Sequence, residues 1–141
     1  MKRSILVVAL SSLLVSPLVI AKELNVVASF SVLGDMVSQI GGPYVHVTDL
    51  VQPDGDPHEF EPSPKDSKTL AQADVVFVNG LGLEGWLDRL VKASGYRGEV
   101  ITASNGIDTL KMKEDGITIT DPHAWNSMKN GIVYAHNIVN G

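Results

Sequence analysis

Short apolar runs, too brief to be helices, recur along this chain, and a stretch of helical period follows most of them. Leu24–Phe30 is dense in branched residues, 44–51 continues the pattern, Val75–Val78 is wholly apolar and Glu99–Thr102 is a fourth run. Strands that alternate with helices must be joined by crossovers. That requires a parallel sheet with helices on both faces. The expected fold is therefore α/β, a parallel β-sheet flanked by helices.

After the first strand a helix is expected to run through Gly41, with Val32, Leu33, Met36, Val37 and Ile40 along one face and Ser29 or Ser31 as its cap. Gly41-Gly42-Pro43 stops it. Residues 52–64 form a proline- and acid-rich loop. Helices are expected over 64–73, 83–93 and 124–139, the last with Ile132, Val133, Ala135, Ile138 and Val139 as its apolar set.

Residues 1–21 read as a secretory signal. Lys2 and Arg3 give the positive start, residues 5–15 are apolar apart from Ser11 and Ser12, and Val19-Ile20-Ala21 offers a cleavage site. Pro17 and the shortness of the run argue against a membrane anchor. The mature chain from Lys22 is more acidic than the whole, which carries a net charge of −5. An acidic chain without a basic stripe excludes nucleic acid as a partner. With no cysteine, disulfides, thiolate metal sites and a lipid-modified cysteine are all excluded. The expected compartment is the periplasm, and about 120 mature residues suffice for one domain.

Two histidines carry the chemistry. His58 stands in Asp56-Pro57-His58-Glu59-Phe60-Glu61-Pro62 and His123 in Asp121-Pro122-His123-Ala124-Trp125. Each follows a proline that pins the local backbone. A neutral imidazole suits zinc and, with carboxylates, manganese or iron. In a parallel sheet, ligands bind beyond the C-terminal ends of the strands. Both histidines are expected on that rim, within metal-bridging distance, and a helix starting after His123 would favour its neutral ring. One carboxylate among Asp54, Asp56, Glu59, Glu61 and Asp66 is expected to orient the His58 ring. Two histidines do not complete a site. His46, alternating with Val45 and Val47, and His136, deep in the last helix, read as surface residues.

Gly80-Leu81-Gly82-Leu83-Glu84-Gly85 has the dinucleotide pattern G-x-G-x-x-G. It follows a third strand rather than the first, and Glu84 puts a carboxylate where pyrophosphate would have to approach. A tight strand-to-helix turn, with Trp86, Leu87 and Leu90 in the core, is the better reading. No nucleophile–base pattern is present, and the chain is not expected to be an enzyme.

Together these stretches resemble the periplasmic manganese/zinc-binding receptors, the solute-binding proteins of metal ABC importers. The likeness is carried by Val27-Ala28-Ser29-Phe30-Ser31, by the loop from Gly55 to Asp66, by Ala73-Asp74-Val75-Val76-Phe77-Val78-Asn79-Gly80-Leu81, by Leu83-Glu84 and by Asp121-Pro122-His123-Ala124-Trp125. The resemblance implies two α/β lobes joined by a long helix, with metal held between them. It makes 22–141 the N-terminal lobe, with His58 and His123 as its metal ligands. The remaining ligands belong to a C-terminal lobe that these residues do not include, which is either missing or separately encoded. It also implies Mn2+ or Zn2+ as cargo and a membrane permease as partner. The absence of a histidine-rich loop over 103–120 tilts the reading slightly towards manganese, or towards a zinc receptor without that loop. The alternative is a non-transporting exported interaction or metal-storage module that keeps only the lobe fold.

Overall fold

The computed structural model describes residues 22–141, so the expected signal segment lies outside the described residues. Four parallel strands form the main sheet: β1 (Leu24–Phe30), β2 (Val45–Val51), β3 (Val75–Val78) and β4 (Glu99–Thr102). Their order is β2-β1-β3-β4, with Val26 of β1 aligned with Val47 of β2 and Val75 of β3. The successive residues Val26, Val27 and Ala28 are all buried, which requires cover on both faces of the strand.

Right-handed crossovers supply that cover. The chain steps one way from β1 to β2 and the other way from β2 to β3. The intervening helices α1 (Ser31–Gly41) and α2 (Pro64–Ala71) therefore fall on opposite faces. α4 (Met128–Asn140) packs against α1, and α3 (Leu87–Ser94) against α2. Leu33, Val37, Tyr134 and Ile138 fill one side of the core, and Leu70, Trp86 and Leu90 contribute from α2, α3 and the turn before α3. Among the described residues no helix is long and apolar enough to cross a membrane.

Local chemistry sets the boundaries. Ser63 and Asp66 form a reciprocal capping box at α2, with Pro64 in its first turn. Gly95, in the left-handed region at φ 70°, ends α3. β2 starts at Val45 because Gly42–Tyr44 forms a 3-10 turn.

The structure corrects several expectations. α2 ends at Ala71, two residues before the expected 73. α3 begins at Leu87, because Leu81 and Gly82 take left-handed backbone conformations and delay it. The expected helix over 124–139 is divided into a 3-10 turn, Ala124–Asn126, and α4, with extended Ser127 between them. α4 buries Tyr134 and Ile138, while Ile132 and Val139 are exposed. On α1, Val32 and Ile40 are likewise exposed. Neither serine caps α1: Phe30 takes the cap position without a side-chain bond, and the Ser29 hydroxyl turns inward. A hairpin that the sequence reading missed, β5 (Lys111–Glu114) and β6 (Ile117–Thr120), stands apart from the main sheet.

Candidate metal centre

Both histidine loops lie at the C-terminal edge of the sheet. The loop after β2 turns at Gly55, whose N–H donates to the Gln52 carbonyl at 2.9 Å. Asp56 Oδ1 then accepts the backbone N–H of His58 at 2.8 Å. After β6, Asp121 Oδ1 accepts the backbone N–H of His123 at 2.9 Å. The tripeptide Asp-Pro-His thus builds the same aspartate-closed turn twice, each turn presenting one imidazole.

The structure brings the two rings together. His58 Nε2 lies 3.3 Å from His123 Nε2, with ring centroids 5.3 Å apart. Two imidazole nitrogens bound tetrahedrally to one zinc at the usual bond length stand about 3.3 Å apart. The observed spacing therefore matches a shared ion.

The two rings are held differently. His123 Nδ1 lies 2.8 Å from Asp121 Oδ1. The backbone N–H of His123, and then its ring, stabilise the Asp121 carboxylate and hold its pKa below the ordinary carboxylate range. An ionised carboxylate only accepts, so Nδ1 carries the proton and Nε2 presents its lone pair. The expected orienting carboxylate is thus found at His123, not His58. Among the described residues, the His58 ring meets no acidic partner: Asp56 bonds its backbone, and Asp66 is engaged with Ser63. The α-helix proper begins only at Met128, so the helix start expected to favour the neutral His123 ring does not stand beside it.

One segment, the turn from β3 to α3, grips both loops. Trp86 donates from Nε1 to the Pro57 carbonyl at 2.8 Å, and Phe60 packs edge-on against its ring. Asn79 donates from Nδ2 to the Pro122 carbonyl at 2.9 Å. The turn is closed by buried Glu84, which accepts from the backbone N–H groups of Asn79 at 2.7 Å and Gly80 at 3.1 Å and from the Ser29 hydroxyl at 2.6 Å. Glycine-rich turns expose N–H groups that bind anions. Here the Glu84 side chain itself takes the N–H groups of Asn79 and Gly80 that a phosphate would need in this turn.

The remaining candidates lie elsewhere. His46 is exposed on β2 and His136 is exposed on α4. Asp54, Glu59 and Glu61 are exposed in their loop. Among the described residues, no group of three or more His, Asp or Glu side chains could enclose an ion. A recess of about 260 Å3 opens beside His123, lined by Asp108, Asp121 and Asn130 among others. A larger one, about 830 Å3, lies between α2 and α3 and includes neither histidine. Sequence reasoning missed Asn79, Trp86 and Glu84 as supports and Asp121 as the ring's partner. The repeated Asp-Pro-His tripeptide was the available signal for Asp121.

Known proteins share this arrangement of sequence and fold. The profile of the family described as "Zinc-uptake complex component A periplasmic" matches residues 26–141. The manganese-binding lipoprotein MntA of Halalkalibacterium halodurans is 46% identical over 112 residues, which make up 79% of this chain and 36% of the relative. The manganese ABC transporter substrate-binding lipoprotein PsaA of Streptococcus pneumoniae is 37% identical over 123 residues, 82% of this chain and 40% of that protein. A Mn-bound periplasmic metal-binding protein from Candidatus Liberibacter asiaticus superposes with a TM-score of 0.75 at 31% identity, over 84% of this chain and 44% of that one. The chain therefore spans less than half the length of these relatives. Its fold is the α/β lobe of a solute-binding protein, in a periplasmic family of transport proteins rather than enzymes. The chain belongs to the zinc-uptake complex component A family of periplasmic metal-binding proteins.

Proposed function

We propose that this chain captures a divalent metal ion, Mn2+ or Zn2+, on His58 and His123, and serves as the N-terminal lobe of a receptor that delivers the ion to the membrane permease of an ABC importer. The observation that carries this reading is the 3.3 Å spacing of the two Nε2 atoms, with Asp121 holding the proton of one ring away from the shared point. The manganese in the names of MntA and PsaA and in the Mn-bound structure favours Mn2+, while the family description favours Zn2+. Two imidazoles suit either ion, so the choice falls to the donors that complete the shell. We place those donors outside residues 22–141, on a second lobe, and read residues 1–21 as the export signal.

Titration calorimetry of the protein from Lys22 to Gly141 with Mn2+ and Zn2+ tests the reading. One ion should bind per chain, with an affinity weaker than about 1 nM because water fills the remaining positions. Binding should vanish in the His58→Ala/His123→Ala double variant. Unchanged binding in that variant would remove the two histidines from the site.

A further inference from the structure

We propose that Asn79 is the positioning residue for His123, setting the distance between the two imidazoles from the end of β3. The inference rests on the metal-capture reading above and assigns a role to a residue that touches no ion.

Asn79 is fully buried, and both polar atoms of its side chain are engaged. Its Nδ2 donates to the Gly80 and Pro122 carbonyls, each at 2.9 Å, and its Oδ1 accepts the Tyr134 hydroxyl. The backbone N–H goes to Glu84. The amide orientation follows from these partners: a carbonyl at Pro122 can only accept, so the nitrogen must face it. Proline has no N–H, which leaves the Pro122 carbonyl as the one backbone hydrogen-bonding group immediately before His123. The hairpin leading into this loop is not part of the main sheet. The Asn79–Pro122 bond therefore ties the His123 turn directly to the strand that pairs with β1.

His58 is measured from the same segment, since Trp86 grips the Pro57 carbonyl seven residues further on. With Glu84 closing the turn between them, residues 79–86 act as one rigid gauge for both rings. Removing the Asn79 amide leaves a buried carbonyl unsatisfied at Pro122, and the His123 turn must move to find water.

The test combines imidazole nitrogen–proton spectra of the metal-free protein with Zn2+ titration. It compares wild type with Asn79→Ala, Tyr134→Phe and, as a stability control in α2, Leu70→Ala. Asn79→Ala should shift and broaden the His123 ring signals while those of His58 move less, and should weaken Zn2+ binding at least tenfold at a temperature where the variant is folded. Tyr134→Phe should give the same pattern at smaller amplitude. If Asn79→Ala loses only thermal stability, with His123 signals and Zn2+ affinity like those of Leu70→Ala, the proposal is overturned. Should Asn79→Ala fail to fold, unchanged His123 signals in Tyr134→Phe overturn it instead. If wild type holds no Zn2+ on its histidines, the metal-capture reading fails. The metal-free ring spectra still decide whether Asn79 places His123.

Discussion

The indole N–H of Trp86 donates to the backbone carbonyl of Pro57 at 2.8 Å, one residue before His58. Trp86 is 2% exposed, so its indole N–H depends on this bond for satisfaction. Trp86→Phe removes the donor and leaves a void. The expected cost is about 1–3 kcal/mol in thermal or denaturant unfolding. Amide exchange should accelerate in the loop carrying His58 and not around His123. Equal acceleration in both loops would mean that the indole supports the core generally.

Asp121 supports His123 twice, through backbone and ring. Carboxylates in this outer position typically contribute about 10–100-fold to metal affinity. Asp121→Ala should lower Zn2+ affinity by about that factor in calorimetry, with a smaller effect than His123→Ala. A variant that binds as tightly as wild type would show that the carboxylate does not tune the ring.

Asp49 on β2 presents a buried Oδ1 that has no hydrogen-bond partner among the described residues. Burial first, and the Asp35 carboxylate second, raise its pKa above the ordinary value. A carboxyl group whose pKa is raised on folding stabilises the fold at low pH and loses that contribution as pH climbs through its folded pKa. Asp49→Asn removes the ionisation. Its stability relative to wild type should therefore grow as pH rises from the acid side through that window, as measured by urea unfolding across pH. A difference that does not change with pH would refute the assignment.

Gly34 lies directly against the same carboxylate, and a Cβ built there overlaps Asp49 Oδ1. Alanine normally favours a helix over glycine by about 1 kcal/mol. Here overpacking should reverse the sign, giving a loss of about 1–3 kcal/mol. Asp49→Ala in the same chain should recover most of that loss, a coupling that a double-mutant cycle reads directly. If the two changes simply add, Asp49 is not what excludes a side chain at position 34.

The strands β1, β3 and β4 were legible to the residue because branched and apolar residues crowd into short runs flanked by turn formers. His58 and His123 were legible because each stands in a proline-pinned loop. The β5–β6 hairpin was overlooked although Asp115-Gly116 marks its turn, both residues having positive φ. Its charged first strand, Lys111–Glu114, hides the alternation that normally signals a strand. The start of α3 was misplaced because Leu83 and Glu84 fit a helical period while serving a turn. The grip of Asn79 on Pro122 spans 43 residues, and no local pattern encodes a bond of that reach. Glu84 was read as an obstacle to an outside anion, and its role as the turn's own anion needed the coordinates of Ser29 and Gly80.

On the proposed capture of metal by His58 and His123, an ion that landed on one imidazole would meet the second without any search. The spacing of 3.3 Å is already set by backbone turns tied to a buried strand, so the second ring acts as a reagent at very high local concentration. The ordering entropy is spent when the chain folds rather than when the ion arrives. Capture would then become a matter of diffusion and loss of hydration water. Departure would require two bonds to break in quick succession, before the first ring could rebind, so under that proposal the residence time of the ion would be governed by how rigidly those two turns are held.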